Sequence, residues 1–470
     1  METEKPIFKK SLSLLDATML VVGSMIGSGI FIVTADIVRN TGSAGWMMIV
    51  WVLSGIMTLI AAITYGELSA MFPKAGGQYV YLREAYNPLV SFVFGWTFFA
   101  VIQTATIAAV GVAFAKFTAY LFPVLDEDVI LFALGSFEIS SAQILSIAII
   151  LLLTFINSRG VNAGKWVQTS VTLFKLLSLS LLVLFGFLAF KYEIWNQNWF
   201  SADTWSLRKL NLDGTFENYS TFAAFGAVSA AMVGALFSSD SWHSSSAVAG
   251  EIKNPQRNIG LSLALGTIIV TVIYILTNLM YSSVLDLNTM VNAPKDRVAM
   301  SVAQEIFGPI GITILAVMIM ISTFGCNNGL IMAGARVYYS MAEDGLFFKK
   351  AKGLNKFSVP GYALWIQGLV SALWCLSGQY GDLLDMITCV VVVFYVLAIY
   401  GVIRLRKKRP ELARPYKAFG YPVLPVLYII MGIAFIVSLL IFKPTYSILG
   451  AVITLLGIPI YYLIKSKKHD

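Results

Sequence analysis

The sequence predicts an all-α membrane protein that crosses the bilayer with twelve transmembrane helices. Of its 470 residues, 58% are hydrophobic and only 12% are charged, whereas about 25% of residues are charged in an average soluble domain. The apolar residues fall in long continuous runs, as membrane helices require. The alternating segments of about ten residues that mark a membrane β-barrel are not seen. An integral membrane protein built from helices is therefore expected.

The predicted helices follow the apolar runs in chain order, and we number them span 1 to span 12. They cover residues 12–37, 44–72, 89–121, 141–158, 166–190, 222–249, 259–285, 308–341, 362–378, 383–401, 424–441 and 447–464. The whole chain, residues 1–470, is predicted to form a single domain.

Lysine and arginine are concentrated in alternate loops, which indicates the orientation of the chain. They precede span 1 and follow spans 2, 4, 6, 8, 10 and 12, and they include Lys5, Lys9, Lys74, Arg83, Arg159, Lys253, Arg257, Lys349, Arg404, Lys467 and Lys468. The loop between spans 3 and 4 carries four acidic residues between Asp126 and Glu138, and no basic one. The positive-inside rule then places both termini in the cytoplasm. The net charge of +8 is thus explained by topology rather than by nucleic-acid binding.

Span 1 contains the stretch GSMIGSGIF, residues 23–31, with three glycines and two serines among its first seven residues. Each glycine costs about 1 kcal/mol relative to alanine inside a helix. One interpretation is a helix broken halfway across the membrane, whose free peptide groups bind a small polar solute. The other is a close helix crossing, because Gly23 and Gly27 also have the spacing of small residues at helix contacts.

Span 6 has a second polar interruption, FSSDSWH, residues 237–243. It lies 212 positions after the first interruption. Span 7 starts at about the same separation, 212 positions, after the start of span 2. Because span 1 starts from the inside and span 6 from the outside, the two halves have inverted orientations. Paired interruptions in inverted halves are typical of transporter binding sites. This favours broken helices over a simple crossing in span 1.

The residue inventory excludes several classes of site. His243 and His469 cannot by themselves form a histidine metal site, and the three cysteines all lie in apolar runs, so neither a metal nor a disulfide is expected. No phosphate-binding GxxxxGK[ST] motif is present. We therefore expect no cofactor. No nucleophile–base pair indicates an enzyme, and no appended soluble domain supports a non-transporting membrane sensor.

Four motifs resemble those of the amino acid–polyamine–organocation transporters. They are GSMIGSGIF (23–31), YGELSAMFPKAGGQYVYLREAY (65–86), LFSSDSWHSSSAVAGEIKNPQRNIG (236–260) and FGCNNGLIMAGARVYYSMAEDG (324–345). They are most similar to the L-type branch of amino-acid exchangers and its bacterial relatives. The resemblance implies the LeuT-type fold, with one five-helix repeat in about residues 12–190, an inverted repeat in about 222–404 and two further helices in about 424–464. It also implies sodium-independent amino-acid transport by alternating access at the cell membrane.

An amino-acid substrate brings a carboxylate and an ammonium group. We expect the carboxylate at the start of the second half of span 1, where free N–H groups and the helix dipole favour an anion. Carbonyl groups at the two interruptions can accept hydrogen bonds from the ammonium group. By resemblance, Phe237 also covers the substrate as a lid, although packing in the protein core is the alternative. The candidate binding residues of both interruptions are Val22, Gly23, Met25, Gly27, Ser28, Gly29, Ile30, Phe237 and Ser238.

Two titratable residues of the second interruption have alternative roles. Asp240 is an acid at membrane depth and hence a functional candidate, but aspartate is also a favoured helix N-cap. We favour the cap for Asp240 over direct substrate contact. His243 occupies a position where related transporters often carry a smaller amide. His243 contacts and selects the substrate side chain, or its imidazole gains and loses a proton, or it is a structural histidine in a hydrogen bond.

Lys175 is an isolated lysine deep in span 5, and such a residue needs a partner or a cavity. The resemblance implies a fixed cation at the position where sodium-coupled relatives bind their ion. We expect it to bridge the interruption of span 1, near Gly23, to span 8, near Cys326 and Asn327. A proton-coupled role for Lys175 is equally compatible with the sequence.

Three further residues are weaker candidates. Glu67 and Glu251 lie at cytoplasmic helix ends as ion-pair or gate residues, with ordinary solvated charge as the alternative. Tyr281 aligns loosely with a position near the substrate, and the aromatic belt of the membrane is the alternative.

The predicted function is exchange of neutral L-amino acids, with a proton-coupled symporter of amino acids or polyamines as the alternative. Animal L-type transporters carry a cysteine between spans 3 and 4 that links them to a heavy chain. Residues 122–140 contain no cysteine, so we expect no disulfide-linked heavy chain. The expected contacts are the amino acid and the lipid bilayer. The sequence does not indicate an oligomeric state.

Overall fold

A computed structural model describes residues 10–134, 137–376 and 380–466. The basic residues Lys5, Lys9, Lys467 and Lys468, His469 and the last two residues of predicted span 9 lie outside these ranges. Within the described part, ten helices are long and apolar enough to cross a membrane, or eleven if one bent pair counts as a single span.

The first half of the chain contains predicted spans 1 to 5. Span 1 consists of α1 and α2, span 2 is α3, span 3 consists of α5 and α6 joined by a π-helical turn at Phe98–Ile102, span 4 is α7 and span 5 is α8. In chain order, α1 to α8 are Leu14–Met25, Gly29–Thr41, Ala44–Met71, Gln78–Ala85, Pro88–Thr97, Gln103–Leu121, Ser141–Ser158 and Val161–Leu188.

The second half contains predicted spans 6 to 12. After the connecting helix α9, span 6 is α10 with the short α11, span 7 is α12, and α13 follows. Spans 8 to 12 are α14 to α18. In chain order, α9 to α18 are Tyr192–Trp199, Thr221–Ser238, Ser244–Ala247, Pro255–Val284, Leu287–Val291, Val298–Glu343, Gly361–Trp374, Tyr380–Lys408, Val423–Phe442 and Pro444–Ser466.

Two features of this architecture differ from the sequence prediction. Strands β1 (Ile130–Leu134) and β2 (Phe137–Ser140) pair antiparallel, and so do β3 (Arg208–Leu210) and β4 (Phe216–Asn218). The chain is therefore helical with two small hairpins rather than purely helical. Helix α14 begins ten residues before predicted span 8, because the chain continues from one helical segment into the next across a kink at Gly308, whose φ is 66°.

Several helices begin where a polar side chain caps them. Ser13 accepts a hydrogen bond from the Asp16 N–H, while the Asp16 carboxylate accepts from the Ser13 N–H. Ser140 and Gln143 form the same reciprocal arrangement at α7. These capping boxes satisfy N–H groups that have no partner inside the helix. They explain why the chain enters these helices where it does.

The core of the molecule lies where helices from the first and second halves of the chain pack together. Helix α3 runs along α12, and the backbones of Gly66 and Gly260 meet there, since a Cβ atom on Gly260 would lie 3.3 Å from the Gly66 Cα. Helix α6 packs along α14, where the Gln103 side chain donates to the Leu330 carbonyl at 2.7 Å. The two halves of span 1 lie between these pairs and contact α8, α10, α12 and α14.

Candidate functional site

The predicted interruption of span 1 is present. Helix α1 ends at Met25, α2 begins at Gly29, and the two axes form an angle of 43°. Ile26, with φ −75° and ψ 93°, is extended. Gly27 lies in this break, opposite Cys326 of α14. Span 1 therefore changes direction over three residues, where the Ile26 N–H still donates to the Val22 carbonyl and the Ile26 carbonyl accepts from Lys175.

The predicted interruption of span 6 is also present, but the helix that follows it is shorter than predicted. Helix α10 ends at Ser238, and α11 begins only at Ser244 and has four residues. Ser241 has a φ of 65°. The Ser244 and Ser246 hydroxyls donate to the Ser241 and His243 carbonyls. Such local bonds compete with helix formation, which explains why the predicted continuation to residue 249 does not form one regular helix.

The two breaks face each other at Gly29 and Ser238. A Cβ atom on Gly29 would lie 2.0 Å from the Ser238 Oγ and 3.0 Å from the Ser238 Cα. Only a glycine allows this approach. The N-terminus of α2 is thereby brought against the C-terminus of α10, so the free groups of both breaks share one region.

The predicted carboxylate-binding groups lie at the start of α2. Ser28, Gly29 and Ile30 precede or begin this 13-residue helix, and the first N–H groups of a helix have no intrahelical acceptor. The Ser28 side chain makes no capping hydrogen bond to α2. The Ile30 carbonyl accepts from the Tyr281 hydroxyl at 3.3 Å. Tyr281 is fully buried and so does not lie in an exposed aromatic belt.

The carbonyl groups predicted to bind the ammonium already have protein partners. Val22 accepts from the Ile26 N–H at 2.9 Å, and Phe237 accepts from the Asp240 N–H at 3.1 Å. The Tyr274 hydroxyl lies 3.1 Å from the Met25 carbonyl and 3.0 Å from the Ser238 carbonyl. Because a carbonyl oxygen has two lone pairs, each can accept one further bond. Tyr274, which the sequence analysis missed, thus connects both breaks to α12.

Lys175 is buried in α8 and donates hydrogen bonds to the break of span 1. Its Nζ donates to the carbonyls of Gly23 and Ile26 at 2.7 Å each and to that of Ser322 in α14 at 3.0 Å. The predicted bridge from span 1 to span 8 therefore exists, but its acceptor in α14 is Ser322 rather than a group near Cys326 or Asn327. All three ammonium protons have an acceptor, which compensates the burial of the charge.

Phe237 is largely buried and lines a cavity between spans 2, 6, 10 and 11. The volume of this cavity is about 20 Å³, which is room for about one water molecule. Thr58, Trp242, Tyr395 and Tyr428 line the same cavity. Phe237 thus lies between the break of span 6 and this cavity.

The prediction that Asp240 caps the second half of span 6 is wrong. The N-cap of α11 is His243, and no side chain caps that helix. Asp240 instead accepts a hydrogen bond from the Tyr395 hydroxyl of α16, at 2.5 Å. The same hydroxyl lies 3.1 Å from His243 Nδ1. The chain turns through the left-handed Ser241 before α11 starts, so Asp240 is too far from its first N–H groups to cap them.

Glu67 and Glu251 are both buried and each is paired with arginine. Glu67 accepts from Arg406 at 2.9 and 2.6 Å. Glu251 accepts from the equally buried Arg336 of α14 at 2.9 Å. The Glu251 carbonyl also accepts from the N–H of Leu12 before span 1. The contacts of Glu251 join spans 1, 6 and 8, and those of Glu67 join spans 2 and 10, so neither glutamate is an ordinary solvated charge.

Comparison with known proteins identifies the family. The family described as amino acid permease matches residues 12–464. The chain is 31% identical to the serine/threonine exchanger SteT of Bacillus subtilis, over the full length of both chains. It is 27% identical to the human b(0,+)-type amino acid transporter 1, over 98% of this chain and 89% of the relative. It is also 27% identical to the mouse Asc-type amino acid transporter 1, over 98% and 82%.

The match to the family extends across both breaks, Lys175 and the two buried glutamates. It also agrees with the resemblance that the four sequence motifs indicate. This chain belongs to the amino acid permease family.

Proposed function

We propose that this protein exchanges neutral L-amino acids across the cell membrane, without sodium, by alternating access. The observation that carries the proposal is the contact between the breaks of spans 1 and 6 at Gly29 and Ser238. One helix start and one helix end meet there, which offers donors and acceptors to a zwitterion in one place. The proposal agrees with the relatives, which include a serine/threonine exchanger and amino-acid transporters.

The carboxylate of the substrate is bound by the N–H groups of Ser28, Gly29 and Ile30. The positive end of the α2 dipole points at this position. The ammonium group is bound by carbonyls of the two breaks, from Val22, Gly23, Met25, Phe237 and Ser238. Gly27 allows the close approach of the backbone, and Phe237 covers the substrate. Tyr281 acts through the Ile30 carbonyl, so it positions the carboxylate site.

Sodium independence follows from Lys175. A sodium ion would need several oxygen ligands, and the carbonyls of Gly23, Ile26 and Ser322 surround the Lys175 ammonium instead. A permanent cation thus takes the place of a transported one and keeps the break of span 1 attached to span 8.

The proposed topology has twelve spans, with both termini in the cytoplasm and two inverted repeats in about residues 12–190 and 222–404. Two packing pairs support the inverted repeats: α3 against α12 joins spans 2 and 7, and α6 against α14 joins spans 3 and 8. Helix α15, with 14 residues, is about 21 Å long at about 1.5 Å per residue. It covers most of predicted span 9, whose last two residues lie outside the described ranges.

We further propose that the protein works without a disulfide-linked heavy chain. All three cysteines, Cys326, Cys375 and Cys389, are buried and unpaired. The name of one mouse relative, large neutral amino acids transporter small subunit 2, describes that protein as a subunit. The name of the bacterial exchanger that matches at full length does not.

Exchange in proteoliposomes tests the proposal. The purified protein is reconstituted, and uptake of labelled L-serine, L-leucine, L-arginine and putrescine is measured into vesicles that are empty or loaded with unlabelled compound. We expect uptake of L-serine or L-leucine that requires internal amino acid and is unchanged when choline replaces sodium. Uptake into empty vesicles driven by an inward proton gradient would support the symporter alternative, and a strict sodium requirement would contradict the proposal.

A further inference from the structure

One polar cluster near the break of span 6 has no role in the proposed exchange mechanism. It is the hydrogen-bonded chain Asp240–Tyr395–His243, in which the Tyr395 hydroxyl contacts both neighbours. Asp240 and Tyr395 are 9% and 4% exposed. Within the part of the chain that the structure describes, no lysine or arginine pairs with Asp240. Burying a carboxylate without a cationic partner is costly unless hydrogen bonds compensate it.

The charge of Asp240 and the tautomer of His243 depend on each other through the Tyr395 hydroxyl. Tyr395 has a single hydroxyl proton. An ionised Asp240 accepts this proton, so Nδ1 of His243 must carry a hydrogen and donate it to the Tyr395 oxygen. A protonated Asp240 donates to the Tyr395 oxygen, and the hydroxyl then donates to an unprotonated Nδ1.

The two ends of this chain reach different cavities. Asp240 and Tyr395 line the cavity between spans 2, 6, 10 and 11. His243 lines a second, smaller cavity of about 10 Å³, bounded by α4, α6, α11 and α14. Its wall also contains Gln78, Gln103 and Ser241. The Tyr395 hydroxyl therefore links Asp240, which lines the first cavity, to His243, which lines the second.

We propose that Asp240, Tyr395 and His243 form a proton-binding site that connects the two cavities and whose protonation weakens substrate binding. The inference rests on the proposed function, because it assumes that the amino acid binds at the adjacent break. When the site takes up one proton, its net charge changes from −1 to 0. The substrate ammonium, bound at the carbonyls of Phe237 and Ser238, then loses the attraction of a nearby negative charge.

The proton moves along the chain without a further reactant. In one state Asp240 is neutral and His243 carries its hydrogen on Nε2. The carboxyl proton passes to the Tyr395 oxygen as the hydroxyl proton passes to Nδ1. The O–H bond of Asp240 and the original O–H bond of Tyr395 break, and a new O–H bond on Tyr395 and an N–H bond on His243 form. The result is an Asp240 carboxylate and a His243 imidazolium, with no change in total charge.

Other titratable groups near the site come from the helices packed around it. They are Tyr65 in α3, Cys326 in α14 and Tyr428 in α17. Tyrosine and cysteine ordinarily lose their protons at about pH 10 and pH 8.5. A change in substrate affinity under mildly acidic conditions is therefore assigned to the Asp240–Tyr395–His243 chain.

The KM for L-serine exchange tests the site between about pH 5.5 and pH 8.5, a range that includes the ordinary pKa of histidine, about 6.5. Proteoliposomes have the same pH inside and outside. We expect the KM of the unmodified protein to rise roughly tenfold as the pH falls, since one charge about 10 Å away at an effective dielectric constant of about 20 has an effect of that size.

Two variants separate the roles. His243→Gln keeps a donor for Tyr395 and removes the one member of the chain whose ordinary pKa lies in this range, so its KM should stay low across the range. Asp240→Asn removes the negative charge, so its KM should stay high. Tyr428→Phe is the matched control, because it lines the same cavity as Asp240 but lies outside the hydrogen-bonded chain. It should keep the pH dependence of the unmodified protein.

Retention of the full pH dependence in His243→Gln would overturn the proton site, and so would a flat KM in the unmodified protein. If a variant fails to fold, the pH dependence of L-serine binding to the unmodified protein, measured by isothermal titration, decides the question. A flat affinity there would overturn the site. Absence of exchange for every amino acid would overturn the proposed function as well, so the two failures are distinguishable.

Discussion

Lys175 illustrates which contacts of a single residue the sequence predicts and which it does not. A lysine within an apolar run is costly unless it has partners, and the structure gives it three carbonyl acceptors. That it has partners could therefore be predicted from its cost, whereas its position next to the break of span 1 was expected only from the resemblance to the L-type transporters. Its acceptor in span 8, Ser322, could not be predicted, because every residue has a carbonyl group and only helix packing selects one.

Replacing Lys175 with alanine should reduce exchange at least about tenfold. The change removes hydrogen bonds from a charged donor, which contribute about 1.5–3 kcal/mol each, and with them the link that Lys175 makes between the break of span 1 and α14. The measurement is the rate of L-serine exchange in proteoliposomes, divided by the amount of reconstituted protein.

Lys407→Ala is the control for this prediction, since Lys407 is an exposed lysine at the end of α16. It should exchange at the rate of the unmodified protein. Unchanged exchange in Lys175→Ala would mean that the buried cation has no part in transport.

Tyr274 and Tyr395 mark the limit of residue-level prediction. Both contact the breaks through their hydroxyl groups. A tyrosine in an apolar run is equally compatible with the membrane interface, since its ring is apolar and only its tip is polar. The sequence therefore contains no signal that separates these two tyrosines from others in the spans.

Among the elements, spans 1 and 6 could be recognised because glycine and polar residues interrupt their apolar runs. The early end of the helix that follows the break of span 6 could not be predicted from the sequence. Serines at 244 and 246 bond to nearby carbonyls, and the outcome of this competition depends on the surrounding packing. The role of Asp240 was predicted wrongly because its hydrogen-bond partner, Tyr395, lies 155 positions away along the chain.

The contact between α2 and α10 makes a prediction about Gly29. An alanine there would place its Cβ 2.0 Å from the Ser238 Oγ, so the two breaks would have to move apart. We expect Gly29→Ala to lower exchange at least about tenfold, as misplacement of a bound substrate by about 1 Å can. Exchange rate and L-serine affinity are the measurements.

Gly381→Ala is the matched control, because no atom lies within 4 Å of the position its Cβ would take. The double variant Gly29→Ala with Ser238→Gly should recover part of the activity, since it removes the clashing side chain. Independent, additive losses in the double variant would contradict a direct contact.

At the level of the whole molecule, the apolar runs predicted the long helices, because the membrane requires their length and composition. They did not predict the short helix α4 or the two hairpins, which lie between the spans and follow no membrane constraint. The packing of α3 on α12 was implied only by the inverted halves, and the meeting of Gly66 with Gly260 depends on the three-dimensional register of the two helices.

A structure determined with bound L-serine tests the binding site most directly. The carboxylate should lie within hydrogen-bond distance of the Gly29 and Ile30 N–H groups, and the ammonium group should face carbonyls of the two breaks. An amino acid bound instead in the cavity lined by Asp240 and Tyr428, away from the start of α2, would contradict the proposed mechanism.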